Sequence, residues 1–336
     1  MKHICILPGD GIGPEVTGCA VRALDAATDR LEMTTALIGQ AAYLRSGSWL
    51  PDDTMRMMRD SDSCLFGAVT SAEEKTYMSP VLAFRKDLDL YANLRPVRTM
   101  VQTPYTHPID IVIVRENTEG MYTQDEVHEA GGVTTRRRVT SAACERIVRF
   151  SIDYALANGR RRVCCVHKSN VLKESDGLFV RTFREVMDRH GHDLVREEHL
   201  VDSAAMKLVT EPSRFDVVVT LNLYGDILSD VAAGVAGGLG FAPSGNIGPT
   251  HSVFEPAHGS APDIAGKGVA NPTAALLASA MMLRHIGMAP EGERVERAVR
   301  ETYAAGDLTV DVGGRLGSDA FTEKVIARIL AEVPRT

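Results

Sequence analysis

Short apolar runs alternate with helix-patterned stretches along this chain, and that alternation most constrains what it can fold into. The runs "HICIL" (3–7), "SCLFGAV" (63–69), "DIVIVRE" (110–116), "RVCCVH" (162–167) and "DVVVTL" (216–221) have the length and composition of buried strands. Helical patterns lie at 14–29, 52–59, 141–158, 174–190, 226–236, 272–285, 291–304 and 320–332. The alternation predicts an α/β fold built on a largely parallel sheet. Ligands in such sheets gather beyond the carboxyl ends of strands, so the chemistry is sought just past each run.

The chain's 336 residues allow about two domains. The net charge of −7 gives no electrostatic ground for nucleic acid or an anionic membrane as partner. No apolar run reaches the roughly 18 residues of a membrane span. The start, "MKHICILPGDG", turns polar too soon for a signal peptide, so a cytoplasmic location is expected. Six cysteines contain no CxxC pair, and a zinc site is not expected. Those in strand-like runs read as small core residues, with a redox role as the second reading. The stretch "GVAGGLGFAPSGNIGPT" (234–250) reads as a crossing between domains or as an active-site loop. Residues 123–140 suit a polar hairpin that could pair with a second subunit, or an exposed loop.

Four constellations carry chemistry. Asp226 and Asp230 follow the 216–221 run and share a helix face, where like charges repel unless a cation sits near them. With Asp202 in "HLVDSAAM", they favour a hard cation, Mg²⁺ or Mn²⁺; solvated helix acids fit the pattern equally. Arg85 and Arg95 bracket an amphipathic segment and Arg115 ends a strand-like run, as surface ion-pair partners or as a receptor for a substrate with several carboxylates. In "VHKSNVLKESDG", Lys168 could serve as a base beside a cation, or point to water. Tyr122 could donate a proton, or simply pack. The loop "FEPAHGSAPDIAGKGVANP" (254–272) could bring backbone N–H groups to a nucleotide. "GDGIGPE" is not GxGxxG, because Pro14 stands in the last glycine's place.

The blocks "LPGDGIGPEV", "LDLYANLRPV", "VRENTEGMY", "HKSNVLKESDGLF", "NLYGDILSD" and "FEPAHGSAPDIAGKGVANPTAA" follow one another in order. Together they resemble the β-decarboxylating dehydrogenases (isocitrate, homoisocitrate, 3-isopropylmalate and tartrate dehydrogenases) from residue 3 to about 330. The resemblance implies a two-domain α/β sandwich that is not a Rossmann fold. Its large domain would comprise 1–96 and 246–336, with both termini. Its small domain, 97–245, would hold the dimer interface, the metal aspartates and an intersubunit clasp at about 123–140. It further implies a homodimer or higher oligomer with shared active sites and a small hydroxy-polycarboxylate substrate.

The family's roles fall on matching residues. Asp226 and Asp230, with Asp202 from the other subunit, would bind Mg²⁺ or Mn²⁺. Ser79, Arg85, Arg95, Arg115 and Asn170 would hold the substrate. Lys168, also from the other subunit, would be the general base and Tyr122 the general acid. NAD would contact Ile12, Asn170, Glu255, His258, Gly259, Ser260, Ala261, Asp263, Ile264, Asn271 and Asp311. Asp263 and Ile264 stand where NADP-dependent members place lysine and tyrosine, so NAD is the expected cofactor. Specificity resides in "TSAEEKTYMSPVLAFR" (70–85), where "SPVLAFR" is similar to the homoisocitrate type. Isocitrate, then 3-isopropylmalate, then tartrate or malate are the other substrates implied. A catalytically silent regulatory subunit and a pure NAD-binding module are the non-catalytic readings.

Overall fold

The computed structural model describes residues 1–71, 77, 79–103 and 106–332. Part of the expected specificity segment, 72–76 and 78, therefore lies outside the described residues. The strands are β1 (Lys2–Gly9), β2 (Leu31–Thr35), β3 (Ser63–Ala68), β4 (Ala92–Arg98), β5 (Asp110–Glu116) and β6 (Gly120–Glu129). They continue with β7 (Gly132–Arg138), β8 (Arg162–His167), β9 (Val195–Leu200), β10 (Val217–Thr220), β11 (Pro243–Ile247) and β12 (Ser252–Pro256). The helices are α1 (Gly13–Ala27), α2 (Gln40–Ser46), α3 (Asp52–Asp60), α4 (Pro80–Asp87), α5 (Ser141–Ala157) and α6 (Ser175–His190). After these come α7 (Val201–Thr210), α8 (Asn222–Ala236), α9 (Thr273–His285), α10 (Ala289–Ala304) and α11 (Ser318–Glu332).

Ten strands form one sheet in the order β2-β1-β3-β12-β11-β4-β5-β10-β8-β9. Its two flanks are parallel, as the alternation predicts. Its middle is not: β12–β11, β11–β4 and β4–β5 are antiparallel. For β12–β11 the local reason is a short connection. β11 turns directly into β12, with Gly248 N–H donating to His251 O at 2.9 Å, and antiparallel pairing is what so short a turn permits. The Gly/Pro-rich stretch expected as a crossing or loop thus contains a fully buried central strand, β11.

One face of the sheet carries the largest core, where Leu94, Val114 and Phe254 meet residues of α1, α5, α6, α9, α10 and α11. The other face has two smaller cores. One, around Ile113, Val218 and Leu228, lies beneath α7 and α8; the other, around Phe66 and Phe84, includes Met55 and Met58 of α3. All six cysteines are buried and free, and the four in strands, Cys5, Cys64, Cys164 and Cys165, match their reading as small core residues. β6 and β7 form a separate two-stranded ribbon, largely exposed. Among the described residues, no helix is long and apolar enough to cross a membrane.

Candidate active site

A polar stripe runs across the antiparallel middle of the sheet. Register builds it: Glu255 pairs with Ser244, Asn246 with Asn93, and Asn93 with Arg115. Paired residues share a face and successive residues alternate, so Arg95, two after Asn93, joins the same side. The intervening positions, Leu94 with Val114 and Gly245 with Phe254, face the large core instead. Asn246 is the hub. Its side-chain carbonyl accepts from Arg85 Nε at 2.9 Å, Asn93 Nδ2 at 2.9 Å and Asn117 Nδ2 at 3.0 Å. Its amide donates to Glu255 Oε1 at 2.7 Å, which also accepts from Arg85 Nη2 at 3.0 Å. Arg95 Nε is fixed by Asn93 Oδ1 at 2.7 Å, and its Nη1 by Ser229 Oγ at 2.6 Å.

The helix that follows β10 brings acid to this stripe. Asp226 accepts from Arg115 on Oδ1 and from the Tyr122 hydroxyl on Oδ2. Arg95 Nη1 lies 3.4 Å from Asp226 and 3.5 Å from Asp230. Gly225 makes the approach possible, since a Cβ there would sit 2.6 Å from Arg115 Cβ. The Arg115 guanidinium stacks over the Tyr122 ring at 4.9 Å and is held at Nε by Asn222 Oδ1, 2.9 Å away.

Electrostatics follow from crowding. Burial pulls the Arg115 pKa down to about 10, and the charges of Arg95 and Arg85 push the same way. Burial likewise lowers Arg95. Three guanidiniums held this close make a receptor for anions. Burial works to raise Asp226, but Arg115, the Tyr122 hydroxyl and Arg95 together hold it below the ordinary carboxylate range. Burial and the neighbouring Asp226 charge raise Asp230 against the pull of Arg95. Burial raises the Tyr122 phenol, keeping it protonated near neutrality.

A cavity of about 570 Å³ opens here, lined by Ser79, Arg85, Arg95, Tyr122, Asp226 and Glu255 and also by His258 and Gly259. Ser79 caps α4, its hydroxyl accepting from Leu82 N at 3.4 Å. Arg115 is 1% exposed and lies behind this wall. Lys168 and Asp202 are placed apart. Lys168 follows β8 and Asp202 lies in the first turn of α7, just past the adjacent strand β9; they pair with each other, and within one chain no contact links them to Asp226 among the described residues. Asn170 is exposed in the turn beyond Lys168.

The acid set suits a hard cation. Its donors are all oxygen, and the unfavourable closeness of Asp226 and Asp230 is what a divalent ion would relieve. Two carboxylates leave most of the roughly six positions of such an ion to other ligands. The 254–272 loop suits a nucleotide. Ala261 holds φ at +37°, and Ile264 N–H closes the turn onto Ala261 O at 3.1 Å, leaving Asp263 exposed. The loop rests on the N-terminal turn: Ile12 N–H donates to Ser260 O at 2.8 Å. His258 keeps a buried Nε2 without a hydrogen-bond partner, and burial lowers its pKa. Asn271 donates to Asp311 at 2.9 Å, joining the last two expected contacts.

The asparagine hub was not read from the sequence. Asn93 sits inside "YANLRP" and Asn246 inside "SGNIG", polar residues flanked by small or apolar ones, which is the only local signal. Buried Asp176 was also missed: it accepts from Arg137 of the ribbon and from Lys168 N–H at 2.6 Å.

A family model for isocitrate/isopropylmalate dehydrogenase matches residues 3–329. The chain belongs to this family. It is 44% identical to a 3-isopropylmalate/3-methylmalate dehydrogenase of Methanocaldococcus jannaschii, covering 99% of this chain and 100% of that protein. It is 46% identical to an isocitrate/homoisocitrate dehydrogenase of Thermus thermophilus, covering 96% and 97%. The crystal structure of isocitrate dehydrogenase from Methylococcus capsulatus superposes with a TM-score of 0.94 at 40% identity, covering 98% of this chain and 100% of that one. The chain is therefore a decarboxylating dehydrogenase with the fold of that family. Family members generally use NAD and a divalent metal, and their substrates are small hydroxy acids.

Proposed function

We propose that this chain oxidatively decarboxylates a 3-substituted malate with NAD and Mg²⁺ or Mn²⁺, and that the substrate is homoisocitrate, giving 2-oxoadipate. The observation that carries the reading is the single cavity in which Arg85, Arg95 and Ser79 face Tyr122 and Asp226. Two arginines suit two carboxylates, and the Ser79 hydroxyl offers a hydrogen bond to a third on the 3-substituent. Val81 and Leu82 share that wall, which favours 3-isopropylmalate as the second reading.

Arg85 and Arg95 hold the substrate, while Arg115 orients Asp226 and adds to the positive field. The C2 hydroxyl proton goes to Lys168 of a second subunit. C2 gives up a hydride, and the β-carboxylate then leaves as CO₂. Tyr122, protonated and aimed by Asp226, returns a proton to C3. Bound at Asp226 and Asp230, with Asp202 of a second subunit, the cation would draw charge from the substrate oxygen; bound along 254–272, NAD would accept the hydride. Exposed Asp263 would receive the adenosine ribose hydroxyls.

The assembly is a cytoplasmic homodimer. Met206, Val209, Leu223 and Ile227 form exposed apolar positions on α7 and α8, the helices that carry Asp202, Asp226 and Asp230. The β6–β7 ribbon is a two-stranded element of marginal stability alone, suited to pairing with its counterpart. The division into domains falls at 96/97 and 245/246, within the neighbouring strands β4 and β11. NADH formation with Mg²⁺ or Mn²⁺ against homoisocitrate, isocitrate, 3-isopropylmalate, tartrate and malate tests the reading. The highest kcat/KM is expected for homoisocitrate; a preference for 3-isopropylmalate reassigns the substrate, and no turnover at all leaves a regulatory subunit.

A further inference from the structure

Cys164, Glu197 and His199 meet at the sheet edge furthest from the NAD loop. Cys164 on β8 pairs in register with Glu197 on the edge strand β9, and His199 is two residues further on the same face. One ligand atom from each lies within 4.8 Å of the other two. Two of those side chains end in orphaned atoms: Glu197 Oε2 and His199 Nε2 are buried and without a hydrogen-bond partner. They lie 3.6 Å apart, too long for a hydrogen bond. Neighbouring donors around a tetrahedral zinc-class ion, with bonds of about 2.0–2.3 Å, stand roughly 3.3–3.6 Å apart. The spacing therefore suits an ion between them better than a proton.

We propose that Cys164, Glu197 and His199 form a site for a borderline-soft transition ion of the zinc class, with water as fourth ligand. The surroundings position the three donors. Arg162 Nη1 donates to Glu197 Oε1 at 3.2 Å, leaving Oε2 free. The Phe215 ring meets the His199 imidazole edge-on at 5.8 Å. Burial lowers the His199 pKa, favouring the neutral ring that ligates, and raises the Cys164 thiol, whose proton the ion must therefore displace. Lys207 Nζ, 3.4 Å from His199 Nδ1, is the competing cation, and its flexible stem must swing aside as the ion enters. Binding converts the Cys164 thiol to a thiolate and releases one proton to solvent. No CxxC spacing announces the site, because its ligands come from two paired strands rather than one turn. The ion would pin β9 to β8 beneath α7.

Co²⁺ titration of the full-length protein in excess Mg²⁺ tests this, since Mg²⁺ fills the all-oxygen site and cannot imitate a thiolate ligand. A near-ultraviolet thiolate-to-cobalt band is expected, saturating at about one ion per chain. It is lost in Cys164→Ala and in His199→Gln, each checked for native circular dichroism. The absence of that band in the unmutated protein overturns the proposal without recourse to variants. So does a band that survives Cys164→Ala, which would place cobalt on another cysteine. The outcome is independent of the dehydrogenase substrate.

Discussion

Tyr122 donates its hydroxyl hydrogen to one oxygen of Asp226 while Arg115 holds the other. One carboxylate thus orients the phenolic hydroxyl and is itself fixed by a buried guanidinium. Tyr122→Phe keeps the ring over Arg115 and removes only the transferable proton. The expected result is a kcat loss of about 10²–10⁴-fold with an unchanged NAD dissociation constant. A loss of less than tenfold would give the proton delivery to another group.

Asp230 yields a pH dependence with a definite sign. Its folded-state pKa is raised, by burial first and then by Asp226. The folded state therefore holds its proton at a pH where the unfolded chain has lost it. That contribution to stability is present at low pH and is lost as pH rises from 3.8 through the raised value. A cation bound at Asp230, as proposed, would compete with the same proton. Mn²⁺ affinity should climb with pH across that window and then level off, as isothermal titration at several pH values can measure. A flat profile, or an unaltered one in Asp230→Asn, places the ion elsewhere.

Gly225 tests the packing that brings the acids to the arginines. A methyl group there would lie 2.6 Å from Arg115 Cβ, a contact that α8 relieves only by moving. Gly225→Ala should cost about 1–3 kcal/mol in urea denaturation, as overpacking does. It should also raise the KM for the acid substrate, because Arg115 and Asp226 separate together. Unaltered stability and KM would mean that the helix position is not under this constraint.

Much of this site was legible from residue type and order. The strand-then-helix pattern located Asp226 and Asp230, and β5 carries Arg115 where the run 110–116 placed it. β11 was hidden for a physical reason. Its side chains are Ser244 and Asn246 toward the polar stripe and Gly245 beneath Phe254, where a Cβ would come within 2.8 Å of the ring. A strand that buries polar groups on one face, and whose other face holds only Pro243, Gly245 and Ile247, shows no clear apolar alternation. Asn246 gains its meaning only from Asn93, Asn117 and Arg85, all more than a hundred residues away in sequence. Likewise β2 carries Glu32, Thr34 and Thr35 at its exposed positions, and β9 is polar through Arg196, Glu197, Glu198 and His199, so neither shows an apolar run.

Asp263 governs the cofactor prediction. A 2′-phosphate beside this carboxylate at ~4 Å costs about 1 kcal/mol in water and about 4 at an effective dielectric of 20. Asp263 is exposed, so the lower figure governs. Asp263→Lys with Ile264→Tyr reverses the charge and should move the ratio of kcat/KM values at least tenfold toward NADP. A ratio that stays put means that the ribose lies elsewhere on the loop.

Lys168 and Asp202 pair with each other rather than with Asp226 in the same chain. If each active site takes Asp226 from one subunit and Lys168 from the other, two dead variants can repair one another. Lys168→Met and Asp226→Asn homodimers should each be inactive. A heterodimer of the two has one site with Asp226 from the first chain and Lys168 from the second, both intact, and one site with neither. Random assembly makes about half of the dimers mixed, each with one of two sites working, so co-refolding should restore about a quarter of full activity. Were both residues to serve the site of their own chain, every site in the mixture would lack one of them. Co-refolding would then restore nothing, and activity read against dimer content by sedimentation separates the two arrangements.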